Sequence, residues 1–84
     1  MVKKSVTVKR ESGLEARPIA MLVQKASQFS SQVHIEVGTK SINAKSIMGM
    51  MSLSVGNGDQ VVVVTEGVDE VAAADENETY LMAQ

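Results

Sequence analysis

Apolar and polar residues alternate along the first stretch of the chain. Val6 and Val8 fall on one side and Thr7 and Lys9 on the other, so residues 2–9 read as a half-buried strand. Glu11-Ser12-Gly13 breaks that pattern. From Ala16 the period lengthens. Ile19, Leu22, Val23, Ala26 and Phe29 recur every three or four residues, which predicts a helix over about residues 16–28. Pro18 suits its first turn, where a missing N–H is no loss. Gln24, Lys25 and Gln28 form the polar face, and Met21 shares that face. Period two then returns. Val33, Ile35 and Val37 alternate with His34 and Glu36, Gly38-Thr39 is a turn, and Lys40 to Ala44 around Ile42 completes a hairpin.

Ser46 to Leu53 reads as a short helix with Ser46 as its N-cap, since a serine oxygen accepts from a first-turn N–H. Gly49 stands where a capping box has Glu or Gln. Inside a helix it costs about 1 kcal/mol relative to Ala. Gly56-Asn57-Gly58-Asp59 is a turn cluster. Val61 to Thr65 is apolar on both faces, which predicts a central strand. A last helix runs from Val68 to about Met82. Val71, Ala74 and Leu81 share its apolar stripe, and Asn77 and Glu78 interrupt it. The order βαββαβα predicts an α+β fold with helices on one face of an antiparallel sheet.

At 84 residues, with 44% hydrophobic and 21% charged, the chain suits a single domain over residues 1–84. It has no cysteine and one histidine, so no disulfide, thiolate metal site or structural zinc is expected. The start, Met1-Val2-Lys3-Lys4, leads into no apolar leader, and the longest apolar run is Val61 to Val64. A cytoplasmic protein with no membrane partner is the expectation. The net charge of −2 hides an asymmetry. All eight Lys and Arg fall in residues 1–45 with three acids, a balance of +5, whereas residues 46–84 carry seven acids and no base. The scattered bases and two aromatics do not favour direct nucleic-acid binding.

Two helix starts carry the candidate chemistry. Gly13-Leu14-Glu15-Ala16-Arg17-Pro18 sets exposed N–H groups beside an arginine fork, a combination that suits an anion. It is equally a plain helix start with a local Glu15–Arg17 ion pair. Ser46 is either a simple cap or a modification site, where phosphate would add about −1.5 to −2 charges at a helix start. Lys45 and Lys40 are close in sequence and suit that phosphate. Ile47, Met48, Met50 and Met51 lie on a helix too short to bury every side. With Met21, some of them form an adaptable partner surface, and Met50 is the one expected in the core. His34 points outward on its strand, with no catalytic partner suggested.

These segments resemble a known family. Gly13 to Pro18 is similar to the active-site motif of HPr, the phosphocarrier of the sugar phosphotransferase system. Asn43-Ala44-Lys45-Ser46-Ile47-Met48-Gly49-Met50-Met51-Ser52-Leu53 resembles its regulatory-serine segment in Gram-positive bacteria, and the spacing between the two matches. The resemblance implies an open-faced β-sandwich, a four-stranded antiparallel sheet with three helices on one face. It departs at position 15, where Glu15 replaces the phosphocarrier histidine. Phosphotransfer is therefore expected to be lost, as in the family branch that lacks the histidine and keeps the serine. The alternative is an atypical carrier using Glu15.

The resemblance further implies a regulator without cofactors, not an enzyme. HPr kinase/phosphorylase would phosphorylate Ser46, and the phosphoserine form would be a corepressor of catabolite control protein A. The matched contact positions are Glu15, Ala16, Arg17, Ala20, Met21, Ile47, Met48 and Met51. The short Glu11 to Leu14 connection allows a monomer or a strand-swapped homodimer.

Overall fold

The structure, a computed structural model, describes residues 1–9, 16–53 and 55–82, without the side chains of Ala16 and Arg17. Its elements follow in the order β1 (Val2–Thr7), α1 (Ala16–Ser27), β2 (Gln32–Val37), β3 (Lys40–Asn43), α2 (Ile47–Met51), β4 (Gln60–Glu66) and α3 (Glu70–Met82). The valine run of β4 takes the middle of the sheet, whose strand order is β1-β4-β2-β3 with every neighbour antiparallel. Val61 pairs with Val6, Val63 with Ile35, and Ile35 with Ile42. Because strand side chains alternate, this register puts Val6, Val33, Ile35, Val61 and Val63 on one face. They form one core with Ile19, Leu22 and Ala26 of α1, Met50 of α2, and Ala73 and Leu81 of α3. The other face carries Lys3, Ser5, Gln32, His34, Glu36 and Ser41, with Val62 half-buried among them. This is the open-faced α+β architecture that the residue pattern predicts.

Strand boundaries follow the alternation closely. β1 leaves its ladder at Thr7, but Val8 stays fully buried, donating to Asp59 O at 2.8 Å and accepting from Gly58 N at 2.7 Å. Gly38 opens the two-residue turn between β2 and β3 at φ +60°, a conformation that suits glycine. Among the described residues no helix is long and apolar enough to cross a membrane.

The last helix differs from expectation. It begins at Glu70, and Val68 lies before it, 93% exposed. Val71 is also exposed, so it does not belong to the buried stripe, which is Ala73, Ala74, Asn77 and Leu81. Asn77 lies four residues from both Ala73 and Leu81, and helix geometry carries it inward regardless of its polarity. Its Nδ2 donates to Ala73 O at 2.7 Å, and its Oδ1 has no hydrogen-bond partner among the described residues. Glu78 does not break the packing either, because it pairs with Lys4 at 3.2 Å.

The start of α3 is set by contacts with the segment between α1 and β2. Gly67 has φ +149°, and a Cβ there would lie 2.7 Å from Ser31 Cα. The Asp69 carboxylate accepts from Ser31 Oγ, from Ser30 N at 2.9 Å and from Ser31 N at 2.8 Å. Ala73 N donates to Asp69 O at 2.9 Å, the first bond of the helix. Helical periodicity therefore gives way here to a turn docked on Ser30 and Ser31.

The two oppositely charged parts of the chain meet across this fold. Lys4 of β1 pairs with Asp75 and Glu78, Lys25 of α1 reaches Glu76 at 3.0 Å, and the Met1 amino group reaches Glu70 at 2.9 Å. All these acids lie on α3. Each pair is at least partly exposed and contributes little alone, but together they orient α3 over β1 and α1.

Substituting Gly67→Ala is expected to destabilise the fold by about 2 kcal/mol, measured by urea denaturation, because Ser31 backbone cannot yield to the new methyl. The hydrogen bonds from Ser31 Oγ, then Ser30 N and Ser31 N, hold the Asp69 carboxyl below its ordinary value of 3.8. A lowered folded-state pKa stabilises above the unfolded value and loses that contribution as pH falls through the folded one. Asp69→Asn should therefore lower Tm at pH 7. Its deficit against the wild type should shrink as the pH of the melts drops below 3.8.

Candidate functional site

The candidate site grows from the end of β3. Asn43 turns the chain there, its Oδ1 accepting from Lys45 N at 2.9 Å and its carbonyl from Ser46 N at 3.0 Å. This places Ser46 in extended backbone, φ −101° and ψ 110°, where its Oγ accepts from Gly49 N at 3.2 Å. Ser46 O then accepts from Met50 N at 2.9 Å. Ser46 is thus the N-cap that its position predicts. At the other end, Ser52 closes the helix by donating through Oγ to Gly49 O at 2.6 Å.

Gly49 carries a role that helix propensity conceals. A Cβ on it would lie 3.2 Å from Ile42 Cγ2 and 3.3 Å from Ser46 Oγ. The missing side chain lets α2 rest directly on β3 while keeping the serine oxygen over the first turn. The signal in the sequence was a glycine at the one capping-box position where a longer residue is usual.

α2 buries a single residue, Met50, which is fully enclosed. One turn and a half of helix has few positions to turn inward, even between α1 and β3. Ile47, Met48 and Met51 consequently face outward, at 49%, 83% and 52% exposure. α1 packs against α2 and presents Met21, also exposed, with Ala20 half-buried beside it in sequence. Met21, Ile47, Met48 and Met51 are four of the eight large hydrophobic residues exposed among those described. Half-exposed Ser46 adjoins Ile47 and Met48 directly in the chain.

Some expected site features fall elsewhere. Glu15 lies outside the described residues, and of Ala16 and Arg17 only the helical backbone is described. Lys45, expected beside the Ser46 phosphate, bonds to another part of the fold. Its Nζ donates instead to Phe29 O at 2.7 Å, just beyond α1, where the exposed carbonyls of a helix end attract a cation. His34 lies on the open sheet face, in a shallow groove of about 220 Å³ lined with Met1, Gln32, Glu36, Ser41, Val64 and Glu66. Among the described residues, nothing on α1 or α2 lines that groove. Among the described residues no three His, Cys, Asp or Glu side chains gather as a metal site would require.

A four-stranded sheet backed by three helices, with a serine-capped short helix beside the end of β3, defines a class. The chain matches the PTS-HPr family, described as the PTS HPr component phosphorylation site, over residues 2–82, and it belongs to that family. It is 52% identical over 73 residues to the HPr-like protein Crh of Halalkalibacterium halodurans, which covers 87% of each chain. Its structure is similar to that of the phosphocarrier protein HPr from Bacillus anthracis, with TM-score 0.92 and 44% identity over 95% of both chains. It is also similar to Crh of Bacillus subtilis, with TM-score 0.77 and 44% identity over 96% of this chain and 93% of that one. The Bacillus subtilis protein forms a dimer with a swapping domain.

The methionines provide a direct check. Met50→Ala should cost about 2–5 kcal/mol, as for other enclosed methionines. Met48→Ala should change stability by no more than about 0.5 kcal/mol in the same denaturant titrations.

Proposed function

We propose that this chain is a regulatory HPr-like protein switched by phosphorylation of Ser46. One observation carries the reading: the N-cap serine adjoins outward-facing apolar residues, with Ile47, Met48 and Met51 all exposed on a helix that needs only Met50 for its packing. The modifying enzyme is HPr kinase/phosphorylase. Ser46 Oγ attacks the γ-phosphorus of ATP, the hydroxyl proton leaves to a base of the kinase, and ADP departs. Similarity to the Crh proteins supports this assignment, because the serine segment lies within the matched residues.

The phosphoserine form acts as corepressor of catabolite control protein A. Met21, Ile47, Met48 and Met51, with Ala20, supply an adaptable apolar contact, and Glu15, Ala16 and Arg17 extend it. A patch of this size binds weakly by itself. Phosphate changes the balance, because each charge-assisted hydrogen bond to it contributes about 1.5–3 kcal/mol. Binding is thereby conditional on modification.

The chain is not itself an enzyme and needs no cofactor. It works in the cytoplasm as one domain spanning residues 1–84. Glu15 in place of histidine removes the nitrogen nucleophile on which a labile phosphoryl group would travel, so it does not serve as a carrier. A strand-swapped homodimer alongside the monomer is supported by the swapping-domain dimer of the Bacillus subtilis relative.

Incubation with HPr kinase/phosphorylase and ATP should add one phosphate to the wild type and none to Ser46→Ala, as read by intact-mass spectrometry. Only the modified wild type should bind the repressor in a titration. Label transferred to Glu15 by enzyme I and phosphoenolpyruvate would instead establish a carrier.

A further inference from the structure

We infer that Lys45 is a positioning residue for the modification of Ser46, acting through its bond to the end of α1. The inference rests on Ser46 being the phosphorylated residue. A five-residue helix is far below the length that holds itself together in water, so the direction of Ser46 Oγ is set by what anchors the segment leading into α2.

That segment is anchored residue by residue. Ala44 is fully buried, and its N–H donates to Val33 O at 2.8 Å. Asn43 bends the chain over the next two residues. Lys45 then crosses to a different element, with Nζ on Phe29 O at 2.7 Å. Gln28 N and Phe29 N turn back to Lys25 O and Ala26 O, both at 3.2 Å, so the Phe29 carbonyl belongs to the structured close of α1. The lysine therefore ties the residue next to the acceptor hydroxyl to the helix that carries Met21.

This tether gives the cation one residue from Ser46 a backbone carbonyl as its partner. A lysine serving as a phosphate ligand would leave its ammonium free to swing, whereas here it is spent on holding the turn. The benefit is geometric. A hydroxyl attacking a phosphorus must arrive in line and close by, and small misplacements slow the reaction more than they weaken docking.

The test compares wild type, Lys45→Met and Lys45→Arg as substrates of HPr kinase/phosphorylase with ATP. Lys45→Met should lower kcat/KM for phosphorylation about tenfold, mostly through kcat, and Lys45→Arg should restore most of it. Without any kinase, amide exchange at Ser46 and Gly49 should quicken about tenfold in Lys45→Met, while Ala73 in α3 exchanges as before. Equal rates for wild type and Lys45→Met would overturn the positioning role alone. A defect confined to KM and erased by salt, with amide exchange unchanged, would also overturn it, since the kinase would then be reading the charge. Absence of phosphate on the wild type would overturn both this role and the function on which it rests.

Discussion

Everything in this fold leans on the face that β4 shares with its neighbours. Val61, Val63 and Thr65 stand between β1 and β2, and each is almost wholly removed from water. Burying one such aliphatic side chain contributes about 1.5–3 kcal/mol, so the helices gather where these side chains are densest. α1 brings Ile19 and Leu22, α3 brings Ala73 and Leu81, and α2 brings only Met50. Even the polar residue on this face is accommodated, because Thr65 Oγ1 donates to Glu70 O at 2.7 Å. The unequal share of the core explains the unequal surfaces. α2 has one inward residue and several outward ones, and that is what leaves Ile47, Met48 and Met51 exposed.

Electrostatics then decides how the helices sit. Among the described residues, Lys4 and Lys25 of the basic first half and the amino terminus all find carboxylates on α3. Asp75 and Glu78 together hold the Lys4 ammonium above its ordinary pKa. The bonds from the amino terminus, then from Gly67 N, hold the Glu70 carboxyl below its own. Part of the asymmetry along the chain thus helps close the fold on itself, and β1, an edge strand, is bound on its helix side as well as by β4.

Much of this was legible in the residue pattern. Alternation located β1 and the β2–β3 hairpin, the apolar run of β4 indicated both the strand and its central place, and the stripe of α1 gave its extent to within a residue or so. Ser46 as a cap and Met50 as the enclosed methionine also followed from local chemistry. α3 was harder. Its stripe is composed largely of alanines and one asparagine, so hydrophobicity along the sequence does not reveal which side faces inward. Its first turn is fixed by Ser30, Ser31 and Gly67, whose contacts join segments nearly forty residues apart. The direction of Lys45 was hidden for the same reason. Proximity in sequence suggested a phosphate, while the fold brought a carbonyl from the end of α1 within reach.

The space left by Gly49 separates two kinds of constraint on one short helix. Its inner side is crowded by Ile42 and the Ser46 oxygen, so residues there answer to packing. Its outer side is less constrained, with Met48 83% exposed and Ile47 and Met51 about half exposed. The exposed positions of this helix can therefore change while the packing that seats it stays the same.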